Sequence, residues 1–310
     1  MKILTFCLSI IISLVVLEGF TRFIIDDGLH YNIEMMKYAK HLKSISNNPK
    51  VGLEHKKNIK KKLMNVEISL NSNGFRNKDD LSKNSKKILM LGDSMTLGWG
   101  AQFTFSYHLD NKLKDYEVIN GGIGNTNTIM QVNNFFYNYI NKYNYDLIIL
   151  NFFINDFENI QLKEPNLLQK YSYFYTYVSS MINRILVKYE LKYDLKTFYS
   201  KSFENKDTEL KTFNEIIKLK KFCDENKIKF IIHNIPELSN LKEYQFINET
   251  NLIKEFAHKN DIFFIDSYNV LKDYESKDLW VTLKDPHAND KAHLIIADFL
   301  FGEINTFLSN

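Results

Sequence analysis

Short apolar runs alternate with segments of helical periodicity from residue 87 onwards. Five runs have the length of strands: residues 87–91, 116–120, 145–151, 227–233 and 261–265. Between them, apolar residues recur at spacings of three and four, as in Leu210, Phe213 and Ile217. Uninterrupted apolar strands separated by helices are typical of a parallel sheet covered on both faces. The pattern therefore predicts an α/β fold of three layers, with a doubly wound five-stranded parallel sheet between two layers of helices.

One long stretch departs from this alternation. Residues 157–206 separate the third predicted strand from the helix before the fourth, which is far longer than a usual connection. Leu168, Tyr171 and Val178 are among the apolar residues there that fall at helical spacing. We expect a helical insertion, in which the aromatic residues 171–177 pack on the core or, alternatively, line a pocket for an acyl or sugar group.

The first residues form an almost unbroken apolar stretch. It covers residues 3–17 and continues to Ile25, and it is interrupted by Glu18 and Arg22. About twenty such residues span a bilayer if the charged pair lies at the interface. A cleaved signal peptide needs small residues before its cleavage site, and alanine first occurs only later in the chain. We therefore expect an uncleaved transmembrane anchor over residues 1–25, the alternative being a buried N-terminal helix.

The remaining chain then divides into two parts. The lysine-rich residues 26–86 are expected to form a juxtamembrane connector, which Arg76 ties to the α/β domain formed by residues 87–310. Lysines after the apolar stretch favour a cytoplasmic body by the positive-inside rule, but long domains cross the membrane largely regardless of such charges. We expect the α/β domain on the outer side of the cell membrane, in a periplasmic or extracellular location.

Charge and cysteine content exclude several functional classes. The 40 basic and 37 acidic residues give a net charge of +3 and are interspersed along most of the chain. This is typical of a solvated surface and not of a stripe that binds nucleic acid, so no nucleic-acid partner is expected. Cys7 lies in the apolar N-terminal stretch, which leaves Cys223 without a disulfide partner. The sequence carries no zinc motif, and neither a metal nor a cofactor is expected.

A serine follows the first predicted strand, in the sequence Gly92-Asp93-Ser94. Gly92 permits a tight turn at the carboxyl end of the strand, which is the edge of an open α/β sheet where ligands bind. Ser94 is thereby a candidate nucleophile. Because a tripeptide of this kind also arises by chance, the prediction depends on a base, an acid and oxyanion donors elsewhere in the chain.

Three further polar segments supply such groups. The glycine-rich loop 120–126 follows the second strand and opens a helix, where backbone amides suit a developing negative charge. Asn155 follows the third strand, and its side-chain amide can donate to the same oxygen. Before the last helix, His287 can act as general base to Ser94, while Asp285 can orient its ring.

In this order the four segments resemble the four sequence blocks of the SGNH (GDSL-type) hydrolases. The resemblance covers about residues 87–308 and is carried by Gly92-Asp93-Ser94, the loop 120–126, Asn155-Asp156 and Asp285-Pro286-His287. It implies a flavodoxin-like sheet and serine ester chemistry, with Ser94 as nucleophile, His287 as base and Asp285 as the acid that orients it.

The resemblance also implies an oxyanion hole, formed by the backbone amide of Ser94, an amide of Gly124 or Asn125, and the side chain of Asn155. Three positions depart from the family pattern. Phe153 stands where glycine is frequent, and Asn125 falls where the oxyanion glycine is expected, a replacement that left-handed backbone geometry tolerates. Asp285 and His287 are one residue closer than in the usual DxxH block.

These features predict a membrane-anchored serine esterase, or an acyltransferase that uses the same acyl-enzyme, acting on an ester-bearing glycan or lipid of the cell envelope. Two alternatives stay open. One is a catalytically inactive SGNH-like module that binds glycan, which Phe153 and the short Asp285–His287 spacing motivate. The other is a lipase or thioesterase whose insertion 157–206 forms an acyl channel.

Overall fold

An apolar helix begins the structure, a computed structural model that describes residues 2–77, 80–82 and 85–309. Helix α1 (Lys2–Phe20) continues into one π-helical turn, Thr21–Ile25. Within these 24 residues an 18-residue window has a mean hydropathy of 2.4, and most of the apolar side chains are exposed. Within the described residues this is the one helix long and apolar enough to cross a membrane, and an N-terminal signal sequence has the same character.

A few residues of the predicted parts lie outside the described residues. They are residue 1 of the predicted anchor, residues 78, 79, 83 and 84 of the predicted connector, and residue 310 of the predicted catalytic domain.

The segment that follows is folded. It contains α2 (Tyr31–His41), the antiparallel hairpin β1 (Lys43–Ile45) and β2 (Leu53–His55), and the hairpin β3 (Ile59–Leu63) and β4 (Val66–Leu70). Buried side chains from these elements form a hydrophobic cluster with the residues that follow Ser94: Tyr38, Leu42, Leu63, Met64, Ile68, Leu70, Leu97 and Trp99. The predicted connector therefore packs against the part of the chain that carries the candidate nucleophile.

Five strands form the central sheet. They are β5 (Lys86–Gly92), β6 (Tyr116–Gly122), β7 (Leu147–Phe152), β8 (Lys229–Asn234) and β9 (Phe263–Asp266). All neighbouring pairs are parallel, and the spatial order is β6-β5-β7-β8-β9. The predicted five-stranded parallel sheet is confirmed. Because β6 and β7 lie on opposite sides of β5, the carboxyl end of β5 lies at the topological switch point, where open α/β sheets bind ligands.

Helices cover both faces of the sheet. The helices after β5 are, in chain order, α3 (Ser94–Leu97), α4 (Phe105–Lys112), α5 (Thr128–Asn134), α6 (Leu167–Tyr171), α7 (Tyr173–Lys188), α8 (Leu195–Glu204), α9 (Lys206–Glu225), α10 (Ile247–Lys259), α11 (Tyr268–Leu271) and α12 (Asp290–Ser309). Of these, α6 and α7 pack against α2 and not against the sheet. Helix α4 packs against α12, and α5 packs against α9. A small antiparallel hairpin, β10 (Trp280–Thr282) and β11 (Asp285–Ala288), precedes the last helix.

The core lies on both faces of the two central strands. Ile88, Leu89, Leu147 and Leu150 are fully buried although successive residues of a strand point to opposite faces. Each such side chain contributes about 1.5–3 kcal/mol by leaving water. This explains why the strands are uninterrupted apolar runs in the sequence.

The insertion 157–206 contains three helices. They are α6, α7 and α8. Phe203 of α8 joins the insertion to the sheet, since its ring lies edge-on to that of Phe152 in β7 at a centroid distance of 6.4 Å. The same ring stacks on Phe157, the first residue of the insertion, at 4.3 Å. The aromatic residues 173–177 are half-buried against α2 and lie outside the main core. Tyr175 and Met35 line a cleft of about 660 Å³ between α7 and α2.

Candidate active site

Two glycines place Ser94 at the edge of the sheet. A Cβ atom on Gly92 would lie 2.1 Å from the hydroxyl oxygen of Thr96, and one on Gly122 would lie 2.2 Å from the backbone nitrogen of Leu97. Only glycine lets α3 approach the ends of β5 and β6 this closely. Ser94 consequently begins α3 directly above the switch point and retains 8% exposure.

The structure brings Ser94, His287 and Asp285 together. Ser94 Oγ lies 2.9 Å from His287 Nε2, and Asp285 Oδ1 lies 2.6 Å from His287 Nδ1. A carboxylate oxygen only accepts, so Nδ1 carries the proton and Nε2 of the neutral ring accepts from the serine hydroxyl. The three predicted residues thus form one hydrogen-bonded array, with the proton positions that a general base requires.

The short spacing between Asp285 and His287 follows from the local secondary structure. Both residues lie on β11, and residues two apart on a strand point to the same face. Pro286 between them has no N–H, which is tolerated because β11 pairs only with β10 within the described residues. Trp99 Nε1 donates to Asp285 Oδ2 at 3.1 Å, so both oxygens of this buried carboxylate are held.

Electrostatics favour the charged form of the pair. Burial alone would lower the pKa of His287, but the adjacent Asp285 carboxylate and its hydrogen bond outweigh burial and raise that pKa above 6.5. Burial would likewise raise the pKa of Asp285, yet His287 and the hydrogen bonds to the carboxylate lower it. An imidazolium formed by proton transfer from Ser94 would therefore be stabilised by Asp285.

Asn155 is held beside the serine by two carboxylates. It lies on the 3₁₀ turn Ile154–Phe157, directly after β7, and its Nδ2 donates to Asp93 Oδ2 at 3.0 Å. Because the amide nitrogen carries two hydrogens, one is left to donate to a substrate oxygen. Asp156 is fully buried and fixes the turn, since it accepts from Phe153 N at 2.9 Å and from Gln131 Nε2 at 2.8 Å.

Hydrogen bonds attach the glycine-rich loop to the end of β5 and to α2. Ile123 N donates to Gly92 O at 3.0 Å, and Asn125 adopts the left-handed backbone conformation, with φ of 66°. The N–H of Gly124, one of the expected oxyanion donors, donates to the hydroxyl of Tyr38 at 2.9 Å. The neighbouring residue Asn125 is exposed.

Side chains from the segment before β5 contact the site, and one of them, Tyr31, was not predicted from the sequence. The ring of Tyr31 stacks on His287 at 5.9 Å with an interplanar angle of 25°. Arg76 ties the segment to the domain as expected, since its guanidinium donates to the carbonyls of Leu97 and Gly98 at 2.6 Å. Helical spacing of Tyr31, Met35, Tyr38 and Leu42 is the signal that marks this segment as a packed helix.

Two other buried histidines support the packing around the site. His233 bonds to Asn151 Oδ1 and to Ser267 Oγ at 2.7 Å each, and His293 Nδ1 accepts from Phe105 N at 3.1 Å. Burial lowers the pKa of each histidine to about 3, so both remain neutral. Across the described ranges, no three His, Cys, Asp or Glu side chains are grouped to hold a metal ion.

The chain has the fold of the SGNH hydrolases, with the four sequence blocks at the carboxyl ends of β5, β6 and β7 and before α12. No protein-family model and no curated protein sequence matches it.

Solved structures of similar fold include esterases and a lipase. The acetyl xylan esterase AlAXEase has 18% identity and a TM-score of 0.44, over 70% of this chain and 99% of that one. An acetylxylan esterase from Geobacillus stearothermophilus has 15% identity and a TM-score of 0.46, over 72% and 96%. A GDSL-like lipase from Bacteroides thetaiotaomicron VPI-5482 has 17% identity and a TM-score of 0.41, over 73% and 92%. Likenesses this low transfer no activity to this chain.

Proposed function

We propose that this protein is a serine esterase of the SGNH type, which cleaves or transfers an acyl group through an acyl-enzyme. The observation that carries the proposal is the hydrogen-bonded array of Ser94, His287 and Asp285, with distances of 2.9 Å and 2.6 Å. Such an array activates a hydroxyl that is a weak nucleophile at its ordinary pKa. The oxyanion donors are the backbone N–H of Ser94, the glycine-rich loop and Asn155 Nδ2.

The reaction has two steps. In the first, Ser94 Oγ attacks the ester carbonyl carbon while His287 Nε2 takes its proton, and the carbonyl oxygen becomes an oxyanion held by the donors. The intermediate collapses, the bond to the alkoxy oxygen breaks, and the imidazolium returns the proton to the leaving alcohol. In the second step, His287 takes a proton from water or an acceptor hydroxyl, whose oxygen attacks the acyl carbon. The bond between that carbon and Ser94 Oγ then breaks, and the imidazolium returns the proton to Oγ. Water gives hydrolysis, and a sugar hydroxyl gives transfer.

Active-site labelling tests this proposal. The detergent-solubilised full-length protein should react covalently with a fluorophosphonate probe and hydrolyse 4-nitrophenyl acetate, and Ser94→Ala should lose both activities. Ser267→Ala is a matched control, because Ser267 is a buried serine that bonds to a histidine, His233, away from the array. A wild-type protein that is folded but neither labelled nor active would contradict the esterase proposal and favour the inactive glycan-binding module.

We place the enzyme at the cell membrane, with Lys2–Ile25 as an uncleaved anchor. The support is a contact between the end of this helix and the insertion: Glu18 accepts from Ser172 Oγ at 2.7 Å and from the first backbone N–H groups of α7 at 3.0 Å. Arg22 Nη2 donates to Tyr171 O at 2.6 Å. These contacts satisfy the charged pair at the end of the apolar helix, where a membrane interface would lie.

Fractionation and intact mass test the anchor. The full-length protein should stay in the membrane pellet after alkaline carbonate extraction, and its mass should include the first 25 residues. A soluble mature protein that lacks them would show a signal sequence instead. A C-terminal alkaline phosphatase fusion should be active if the catalytic domain lies outside the cytoplasm.

An envelope location makes O-acylated glycans and lipids the proposed substrates. A screen of acetylated sugars and fatty-acyl esters of increasing chain length distinguishes the two. Turnover that is restricted to long acyl chains, and is lost when Tyr175 and Met35 in the cleft are replaced by alanine, would favour the lipase or thioesterase alternative. Deacetylation of sugars that leaves acyl chains untouched would favour the glycan.

A further inference from the structure

Two buried polar side chains of the segment before β5 hold Gly124. Tyr38 Oη accepts from Gly124 N at 2.9 Å, and Lys43 Nζ donates to Gly124 O at 2.9 Å. A Cβ atom on Gly124 would lie 2.9 Å from Tyr38 Cε1, so the ring of Tyr38 also packs directly on the Cα atom. Residue 124 is thus fixed through its N–H, its C=O and its Cα.

The hydroxyl of Tyr38 is itself oriented by a buried histidine. His55 Nδ1 lies 3.0 Å from Gly74 O, and its Nε2 lies 2.6 Å from Tyr38 Oη. A carbonyl oxygen only accepts, so Nδ1 carries the proton and Nε2 accepts from the Tyr38 hydroxyl. The hydroxyl therefore donates to His55 and has its lone pairs free for Gly124 N–H. Burial lowers the pKa of His55 to about 3, which keeps this arrangement neutral.

Lys43 is an unusual residue for this position. Its side chain is 7% exposed, its ammonium also lies 4.7 Å from the centre of the Tyr38 ring, and burial lowers its pKa to about 8. Taking an ammonium group out of water is costly, and an apolar side chain would cost less. A lysine at this position therefore lowers folding stability, but it directs a positive charge at the carbonyl of Gly124 in the glycine-rich loop.

The peptide group of that carbonyl contains one of the two loop amides expected as oxyanion donors, the N–H of Asn125. The carbonyl of Gly124 and the N–H of Asn125 belong to one planar trans peptide, in which they point in opposite directions. A cation on the carbonyl both fixes the plane and polarises it, so the N–H becomes a stronger donor. The N–H of Gly124, in contrast, is already committed to Tyr38.

We propose that Tyr38 and Lys43 are positioning residues that present the Asn125 N–H to the oxyanion, so that the segment before β5 completes the oxyanion hole. This inference depends on the proposed esterase function. It selects Asn125, and not Gly124, as the backbone donor of the loop. Neither side chain contacts the reacting atoms in this scheme, and both act through the geometry of the peptide between residues 124 and 125.

Steady-state kinetics of the full-length enzyme with 4-nitrophenyl acetate test the inference. Lys43→Met and Tyr38→Phe should each lower kcat about 10- to 100-fold, since misplacing a group by about 1 Å costs on this scale. KM should change less than twofold, because the oxyanion exists only in the transition state. Lys43→Met should melt at the same temperature as the wild type or higher, because methionine removes the buried charge.

Matched controls separate this effect from a general loss of packing. Lys56 is another lysine of the segment whose ammonium donates to a backbone carbonyl, that of Lys40 at 2.7 Å, and Tyr145 is a buried tyrosine whose hydroxyl donates to Tyr139 O at 2.8 Å. Lys56→Met and Tyr145→Phe should keep kcat within about twofold of wild type.

The outcomes distinguish the inference from the proposed function. If wild type is active, Ser94→Ala is inactive and Lys43→Met matches its Lys56→Met control in kcat, the esterase proposal stands and the positioning role is wrong. A raised KM with unchanged kcat would also overturn it, since that result indicates uniform binding. If wild type is folded but unreactive towards both probe and ester, the esterase proposal fails and the inference fails with it.

Discussion

Replacing Asp285 by asparagine tests the proton positions in the site. The carboxylate accepts on both sides: Oδ1 from His287 Nδ1 at 2.6 Å and His287 N at 3.2 Å, and Oδ2 from Trp99 Nε1 at 3.1 Å. Asparagine has one acceptor and one donor end, so one side must face donor to donor. If the NH₂ of the asparagine faces Trp99, the ring of His287 keeps its tautomer. If the NH₂ faces His287, Nδ1 must accept and Nε2 carries the proton.

The second arrangement prevents Nε2 from accepting the proton of Ser94. A wrong tautomer of this kind slows a Ser-His-Asp enzyme by about 10⁴-fold. Trp99 favours this second arrangement, because its N–H can only donate and would have no acceptor in the first. Losing that buried hydrogen bond costs about 1–3 kcal/mol. Trp99→Phe should therefore lower kcat in the wild-type background, where it leaves Asp285 Oδ2 without a partner. In the Asp285→Asn background it should raise kcat about 5- to 100-fold, by freeing the asparagine to rotate.

The assay is a double-mutant cycle on 4-nitrophenyl acetate hydrolysis, with melting temperatures of all four proteins to confirm folding. Trp99 also packs in the cluster with Tyr38 and Leu97, so the second substitution carries some packing loss in both backgrounds. The donors and acceptors around Asp285 require that Trp99→Phe lowers kcat in the wild-type background and raises it in the Asp285→Asn background. If Trp99→Phe lowers kcat by the same factor in both backgrounds, the assignment of donors and acceptors around Asp285 is wrong.

Three further predictions follow from other contacts. Activity should rise with pH through a midpoint above 6.5, because neutral His287 is the base and Asp285 raises its pKa against the effect of burial; a pH–rate profile with a midpoint below 6.5 would contradict this. Gly122→Ala should prevent stable folding, because the new methyl group would lie 2.2 Å from the backbone nitrogen of Leu97; a cooperative melt at the wild-type temperature would refute the close approach. Phe203→Ala should lower the free energy of unfolding by about 3 kcal/mol, measured with urea, and a loss below about 1 kcal/mol would mean that the insertion is not anchored by this ring.

The sheet was predictable because both faces of its strands are buried. The five predicted strands match β5 to β9 with their ends within two residues. The starts of the last two strands were placed too early for a physical reason. Lys227 and Asp261 have positive φ values of 57° and 52°, which belong to the turns that end the preceding helices and not to extended strands. Hydropathy carries no information about that backbone reversal.

The candidate site was predictable where it depends on short blocks. Ser94, Asn155, Asp285 and His287 follow recognisable strand ends or precede a helix, and the chain brings them together across 193 positions between serine and histidine. Trp99 was not predicted as a partner of Asp285, because a tryptophan between Gly98 and Gly100 indicates nothing about which buried carboxylate lies near it. Such a contact depends on tertiary packing alone.

The residues before β5 were harder to interpret because charge dominates their composition. Lysines led to the prediction of a solvated connector, although the apolar residues of α2 recur at helical spacing among them. Long charged side chains cover buried surface with their methylene groups, so a lysine-rich segment can still pack tightly. Lys43 shows the extreme case, with its whole side chain buried.

Helix α2 connects the two halves of the site. Tyr31 reaches the ring of His287 and Tyr38 reaches Gly124, two turns further along the same face. The helix is held in place by Glu34, which is 2% exposed, accepts from Met64 N at 2.8 Å and pairs with Lys37. A displacement of α2 would therefore move the stacking partner of the base and the support of the glycine-rich loop together. In the proposed scheme, the reacting groups lie at the carboxyl ends of the sheet strands and on β11, and the segment before β5 orients His287 and the glycine-rich loop.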